Sequence, residues 1–337
     1  MSMFAKSLRC CMGLVLSATA LAFVGCARTA GPRVPPQQQA LQLYVQGVQH
    51  HRAGETQAAI DALERAIAAN PDLRMARSLL GDLYRARGDY LQASMQYEII
   101  TRNDPYTADN HYRLGVTYQF LDRLQSAAGS YLRALNLDPK DSRSAMNLGT
   151  VYLAMGDFDQ AVVYLEKSTQ LAPESAQAWG NLGVALDARG SAVLAEAAYR
   201  KSLELEGMSN VTLQNLGSNL IAQNKGAEAV AIWEEVLKTN DTPATRKRYA
   251  DALAAARRND EALREYDAVL NANPRYLPAI NGKAAFYIRL YRDGLEIDDA
   301  KRTAALELWR TSLRLNPNQP DVRAALTRWE NPPLFSN

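Results

Sequence analysis

The sequence predicts an all-α chain, a right-handed superhelical solenoid of about eight helix-turn-helix repeats ending in a C-terminal capping helix. Three observations carry this. Gly47, Gly81, Gly115, Gly149, Gly183 and Gly217 stand 34 residues apart without a slip. Pro71, Pro105, Pro139 and Pro173 keep the same step where a second helix should end, because proline has no amide donor and its ring clashes with the preceding turn. Ala59, Ala93, Ala127, Ala161, Ala195 and Ala229 hold a third phase, each followed four residues later by Leu63, Tyr97, Tyr131, Leu165, Tyr199 or Trp233. Small and large side chains one turn apart suit closely packed helices.

The chain begins with a basic-then-apolar segment. Lys6 and Arg9 precede a run from Cys10 to Cys26 without a charged residue, the layout of a secretory signal peptide over 1–25. It is short for a spanning helix, which needs about 20 residues. Phe23-Val24-Gly25-Cys26 resembles a bacterial lipobox, although Phe23 stands where leucine is usual. The resemblance implies that Cys26 is diacylated on sulphur, becomes the new amino terminus and is acylated there. An uncleaved anchor and ordinary cleavage nearby are the alternatives. All three cysteines, Cys10, Cys11 and Cys26, lie in this segment, so a chain starting at Cys26 carries no disulfide, as suits an exported protein that must not misoxidise. Ala27 rather than aspartate after the cysteine implies, by the same resemblance, the outer membrane of a two-membrane cell, facing the periplasm. Residues 26–39 are rich in Pro and Gln and read as a tether, reaching up to about 40 Å at ~3 Å per residue.

Residues 40–317 form the solenoid, with repeats near 40–73, 74–107, 108–141, 142–175, 176–209, 210–242, 243–276 and 277–318. The fifth shows Trp179, Leu182, Gly183, Leu186, Ala195, Tyr199 and Ser202, with Gly207 where proline is usual. The fourth shows Leu148, Gly149, Tyr152, the turn Gly156-Asp157-Phe158, then Ala161, Leu165 and Pro173. These residues resemble the tetratricopeptide repeat family over most of the chain, which implies the fold and a role in protein binding, and names no ligand.

Repeat seven loses one residue and has Ala250 in the glycine slot, although Tyr266 and Pro274 keep the pattern. In repeat eight, Ala305, Trp309, Ser312 and Pro317 come about nine residues late. The extra length lies within Tyr291 to Arg302, and the expectation is a longer loop or longer helices; a partner-specific insertion is the alternative. Residues 319–331, with Val322, Leu326 and Trp329 at helical spacing, read as the cap that an open solenoid end needs.

The chain of 337 residues has 38 basic and 36 acidic side chains. Without Lys6 and Arg9 the balance is 36 to 36, so no basic excess points to nucleic acid. No phosphate-cradling loop, G-x-S-x-G elbow or H-E-x-x-H motif is present, and the repeat glycines are explained by packing. His50 and His51 are adjacent on a helix and diverge by about 100°, poor geometry for one metal. His111 stands alone. The expectation is a non-enzymatic scaffold without cofactor or metal.

The register also marks a ladder. The residue two before each repeat glycine is Val45, Leu79, Arg113, Asn147, Asn181 and Asn215, with Arg248 in the matching slot of repeat seven. In superhelical members of the family, asparagine here faces the concave groove and grips an extended peptide by its main chain. An amide can donate to a carbonyl and accept from an N–H of one peptide unit. The bland reading is that asparagine is merely common before Leu-Gly in this repeat. Specificity would come from Arg143, Gln177, Asp187, Gln214 and Ser218 on the same helices. The run Arg246, Lys247, Arg248, with Arg257 and Arg258, is either a solvated face or a site for an acidic tail. Asn215 and Arg248 resemble part of a carboxylate clamp, but Gly180 and Val184 stand where its lysine and asparagine would be. The resemblance leaves two roles for a membrane-anchored protein that binds protein or peptide: assembly of a pilus, secretion or envelope complex, like pilotin or Tad-type lipoproteins, or recruitment of periplasmic cell-wall hydrolases or proteases.

Overall fold

A computed structural model describes residues 35–294 and 299–330. Among them stand 17 helices and no strand. They run as antiparallel pairs: α1 (Pro36–Arg52) with α2 (Thr56–Ala69), α3 (Arg74–Arg87) with α4 (Tyr90–Asn103), and α5 (Ala108–Phe120) with α6 (Leu124–Leu137). Next come α7 (Ser142–Met155) with α8 (Phe158–Leu171), α9 (Ala176–Ala188) with α10 (Ala192–Glu206), and α11 (Asn210–Ala222) with α12 (Gly226–Thr239). The last pairs are α13 (Pro243–Ala255) with α14 (Asn259–Ala272) and α15 (Leu277–Asp293) with α16 (Asp299–Leu315), and α17 (Pro320–Glu330) closes the stack. Cys26 and the segment around it lie outside the described residues, as do 331–337. The tether ends sooner than the sequence suggested. Pro36 opens α1, because a proline at the first helical position gives up no hydrogen bond and its φ suits the helix, so Pro36 to Gln39 belong to the solenoid. Among the described residues no helix is long and apolar enough to cross a membrane.

The three sequence phases have distinct physical roles. Each repeat glycine faces the large residue of its own second helix, so an added Cβ would lie 2.8 Å from Leu63 at Gly47, 2.9 Å from Tyr97 at Gly81 and 2.5 Å from Tyr199 at Gly183. Those partners are buried almost completely, as are Tyr131, Leu165 and Trp233. The prolines end second helices through their predecessors: Asn70, Asp104, Asp138, Ala172 and Asn273 are extended, as the residue before proline prefers. Gly207 is no lapse of that rule. Its φ of +80° with ψ of −148° is a conformation essentially reserved to glycine.

Within each of the first seven pairs the turn passes through a left-handed residue, namely Gly54, Gly88, Asp122, Gly156, Gly190, Asn224 and finally Arg257 at φ +63°. Arginine lacks the short polar side chain that lets Asp and Asn adopt this region. Arg257→Gly should therefore raise stability by roughly 0.5–1 kcal/mol, measured as a higher denaturant midpoint. Loss of the exposed pair with Asp293 offsets little of that.

The departures late in the chain resolve simply. The residue missing from repeat seven comes from the loop before α13, where Thr242 and Thr245 form a capping box. In the eighth pair most of the added length makes longer helices, 17 residues each in α15 and α16, and residues 295–298 between them lie outside the described residues. The α17 helix covers the end of the core with Val322, Leu326 and Trp329, and Arg302 donates to the Trp329 carbonyl at 3.0 Å.

Candidate functional site

Inner and outer faces follow from which helices approach. First helices of successive pairs touch one another, α5 with α7, α7 with α9, α9 with α11, and α11 with α13. Successive second helices make no approach of that extent among the described residues. The first helices thus line the tighter, concave side, and they carry the asparagine ladder.

Its rungs differ in availability. Arg113 is held by Asp82 and by Asp109, the latter at 2.6 Å. Arg143 pairs with Asp141 at 3.0 Å and lies over the Tyr112 ring, 4.5 Å from its centre. Asn147 donates to the Tyr131 hydroxyl at 3.3 Å. Asp187 accepts from Tyr199 at 3.0 Å and from Asn219 at 2.5 Å. By contrast, the side chains of Asn181 and Asn215, both half-buried, have no hydrogen-bond partner among the described residues. Gln177 is exposed on the same helix as Asn181.

At the junction of α11 and α13, a depression of about 410 Å³ gathers Gln214, Asn215, Ser218, Lys247 and Arg248. Trp233 contributes to its lining, and Thr245, Tyr276 and Pro278 complete the wall beside Ala244. The structure therefore brings the carboxyl-terminal candidates together. It leaves Arg113 and Arg143 in a separate ionic cluster nearer the amino terminus.

The basic run is neutralised in place. Arg246 reaches Asp241 at 2.7 Å and Glu265 at 3.1 Å, Lys247 reaches Asp251 at 2.6 Å, and Arg258 pairs with Glu261 at 2.7 Å. Arg257 pairs with Asp293. Arg248 is the loosest, 3.8 Å from Asp251 and more than half exposed. This arrangement matches a solvated, internally paired face.

Four matches to the tetratricopeptide repeat model, over residues 44–106, 78–142, 146–206 and 215–276, cover more than half of the chain. The chain belongs to the tetratricopeptide repeat family. Tetratricopeptide repeats mediate protein–protein interactions. A stretch of 101 residues is 30% identical to Superkiller complex protein 3 of Mus musculus, and the match spans 28% of this chain and 6% of that protein's length. Among solved structures, a tetratricopeptide repeat protein of Parabacteroides merdae matches 87% of this chain and 100% of its own at 13% identity, with a TM-score of 0.54. Pseudomonas aeruginosa pilF matches 61% of this chain and 94% of its own at 22% identity, with a TM-score of 0.52. These likenesses show the fold.

Two features of these tetratricopeptide repeats escaped the sequence reading. Buried tyrosines of the second helices send their hydroxyls through to the concave side, Tyr97 to Asp82 at 2.7 Å, Tyr131 to Gln119 at 3.0 Å and Tyr266 to Asp251 at 2.5 Å. Burial, reinforced by the acids at Tyr97, Tyr199 and Tyr266, pushes these phenols above their ordinary range, so they stay donors at neutral pH. The signal was available. Each such tyrosine has an acid or amide one or four residues after its repeat glycine, or after Ala250 in that slot for Tyr266. The second feature explains His111. Its ring contacts the Pro105 carbonyl at 3.0 Å, as Arg77 and Trp179 donate to Pro71 and Pro173 at 2.8 and 2.9 Å. A side-chain N–H at this slot satisfies the carbonyl next to the helix end, where no amide reaches it.

Proposed function

We propose that this protein is a non-enzymatic scaffold, held at the outer membrane by an acylated Cys26, that binds extended peptide segments of client proteins along its concave face. The observation that carries the reading is the pair of unpartnered rungs, Asn181 and Asn215, leading into the depression at Gln214, Ser218, Lys247 and Arg248. An asparagine without a protein partner on a concave helix face can give both hydrogen bonds of its amide to one peptide unit. Each net hydrogen bond contributes roughly 0.5–1.5 kcal/mol. Two rungs alone would bind weakly, so Gln177, Gln214 and Arg248 add the side-chain contacts that distinguish one client from another.

The ladder is shorter than its spacing suggests, because Arg113, Arg143 and Asn147 already bond within the protein. Binding is thus centred on α9, α11 and α13. The export segment and lipobox support a role in assembling an envelope, pilus or secretion complex.

The test is cross-linked co-purification from solubilised membranes. Changing Asn181 and Asn215 together to alanine should weaken client binding at least roughly 30-fold, the loss of both amide hydrogen bonds at each rung, whereas Asn147→Ala should leave it near the starting value. Equal yields of the same partners from the double variant would overturn the groove. A cell-wall hydrolase or protease as the recovered client would replace the assembly role with recruitment.

A further inference from the structure

The outer face carries a second surface. Where successive second helices splay, a cleft can open above the first helix between them, and two such clefts have volumes of about 460 and 570 Å³. Every residue lining the second cleft stands 68 positions, two repeats, after its counterpart in the first. The opening is set by small side chains, Gly129 and Ser130 in one, Ala197 and Ala198 in the other. In the repeat between, Tyr164 occupies the equivalent of Ser130 and stacks on Tyr152, ring centres 5.6 Å apart, which fills the space. In the repeats on either side the position holds Gln96 and Ile232.

The two clefts differ in chemistry. The first is polar, with Tyr118 donating to Glu98 at 2.9 Å across it. The second, between α8 and α10 over α9, is walled by Trp179, Leu182, Leu186 and Leu194. The Trp179 N–H is already given to Pro173, so the indole presents no free donor. Beside the cleft, α10 carries a stripe of Val193, Ala197, Lys201 and Leu205 at four-residue steps, with Val193 68% and Leu194 56% exposed. An apolar ridge next to an apolar groove on one face is the self-complementary condition for a twofold contact.

We propose that two copies of this chain associate through this surface, each copy's α10 seated in the other's α8–α10 cleft across a twofold axis. The charges on the rims support a second copy as occupant. Glu166 stands on the α8 rim with no ion pair among the described residues, and Lys201 on the α10 rim bonds only the exposed Glu204 at 2.9 Å, one turn along its own helix. A twofold axis sets each Glu166 against the Lys201 of the other copy, so both rims are matched at once. Contact confined to one helix and one cleft from each copy is small beside the roughly 800 Å² per partner of a standard interface, so the dimer is weak and concentration-dependent.

Sedimentation equilibrium of the full-length protein in density-matched detergent tests this. The unaltered chain should show a monomer–dimer equilibrium, and Leu194→Glu should weaken it at least tenfold with circular dichroism unchanged, since Leu194 is half in solvent. Glu166→Lys and Lys201→Glu should each weaken it several-fold, and the two together should restore it. A chain that stays monomeric at every concentration, an unaffected Leu194→Glu variant, or a charge swap without recovery would overturn the dimer, as would a foreign protein found on this cleft in place of a second copy. The surface is separate from the concave groove, so alanine at Asn181 and Asn215 should leave the dimer constant unchanged, and either reading can fail without the other.

Discussion

Gly226→Ala is expected to destabilise the solenoid by about 3 kcal/mol, at the upper end of overpacking costs, and to uncouple its carboxyl-terminal repeats from the rest. Gly226 is the first residue of α12 and is buried against the end of α13. A Cβ there would lie 2.2 Å from the Ala256 nitrogen and 2.3 Å from the Ala255 carbonyl carbon. Backbone atoms cannot rotate aside, so α12 and α13 must separate. The repeat glycines are less demanding, because their Cβ would meet a side chain. Repeat seven already has Ala250 in that slot, with Tyr266 only 2% exposed behind it. In a solenoid each repeat depends on its neighbours' interfaces, so weakening one interface divides the stack. Denaturant unfolding should show a lower midpoint and a shallower slope, or two steps, with the early step reported by hydrogen exchange in α13 to α16. A midpoint and slope equal to those of the unaltered protein would show that the close approach is not needed.

Gly226 was invisible to sequence reasoning because it lies outside the glycine register, and its reason is the approach of a helix 30 residues further on. What the period does encode is local: glycine against the large residue of the same pair, proline at the end of the pair, a left-handed residue at the turn of each of the first seven pairs. Those contacts repeat, so a repeat in the sequence exposes them. The occupancy of the ladder does not repeat. Asp82 and Asp109 hold Arg113, and Tyr131 receives Asn147, while Leu165 stands in the Tyr131 slot before Asn181 and the Tyr199 hydroxyl before Asn215 is given to Asp187. A column of aligned residues shows which position faces the groove, but whether its hydrogen bonds are free depends on side chains from the preceding repeat. The outer clefts stayed hidden for a related reason: their opening is set by two small residues whose meaning appears only when the same positions are compared across repeats, Ser130, Tyr164 and Ala198 in turn. Gly207 shows the limit from the other side. Spacing made it a missing proline, whereas its backbone angles make it a required glycine.

Trp233→Ala should cost about 3–5 kcal/mol, while Trp233→Phe should cost far less. Trp233 occupies the slot of Tyr97, Tyr131, Tyr199 and Tyr266, buried to 2% exposure against Gly217. Each of those tyrosines finds an acid or amide on the first helix. At the matching positions of this repeat stand Ser218, which donates to the Gln214 carbonyl at 2.8 Å, and Ile221, which has no acceptor. The indole N–H is left buried without a partner among the described residues, a state that costs about 1–3 kcal/mol relative to a hydrated donor. Phenylalanine removes that penalty together with some volume, and the two changes offset one another. Alanine removes the volume alone and leaves a void that neighbouring helices fill only in part. Because Trp233 also lines the depression shared by Asn215, Lys247 and Arg248, the alanine variant should lose client binding as well as stability, and the phenylalanine variant should keep both. Unfolding midpoints and co-purified client for the two variants decide the point. If phenylalanine is as damaging as alanine, the indole N–H has a partner in the working protein, and a carbonyl of the bound peptide is the acceptor that the geometry would then admit.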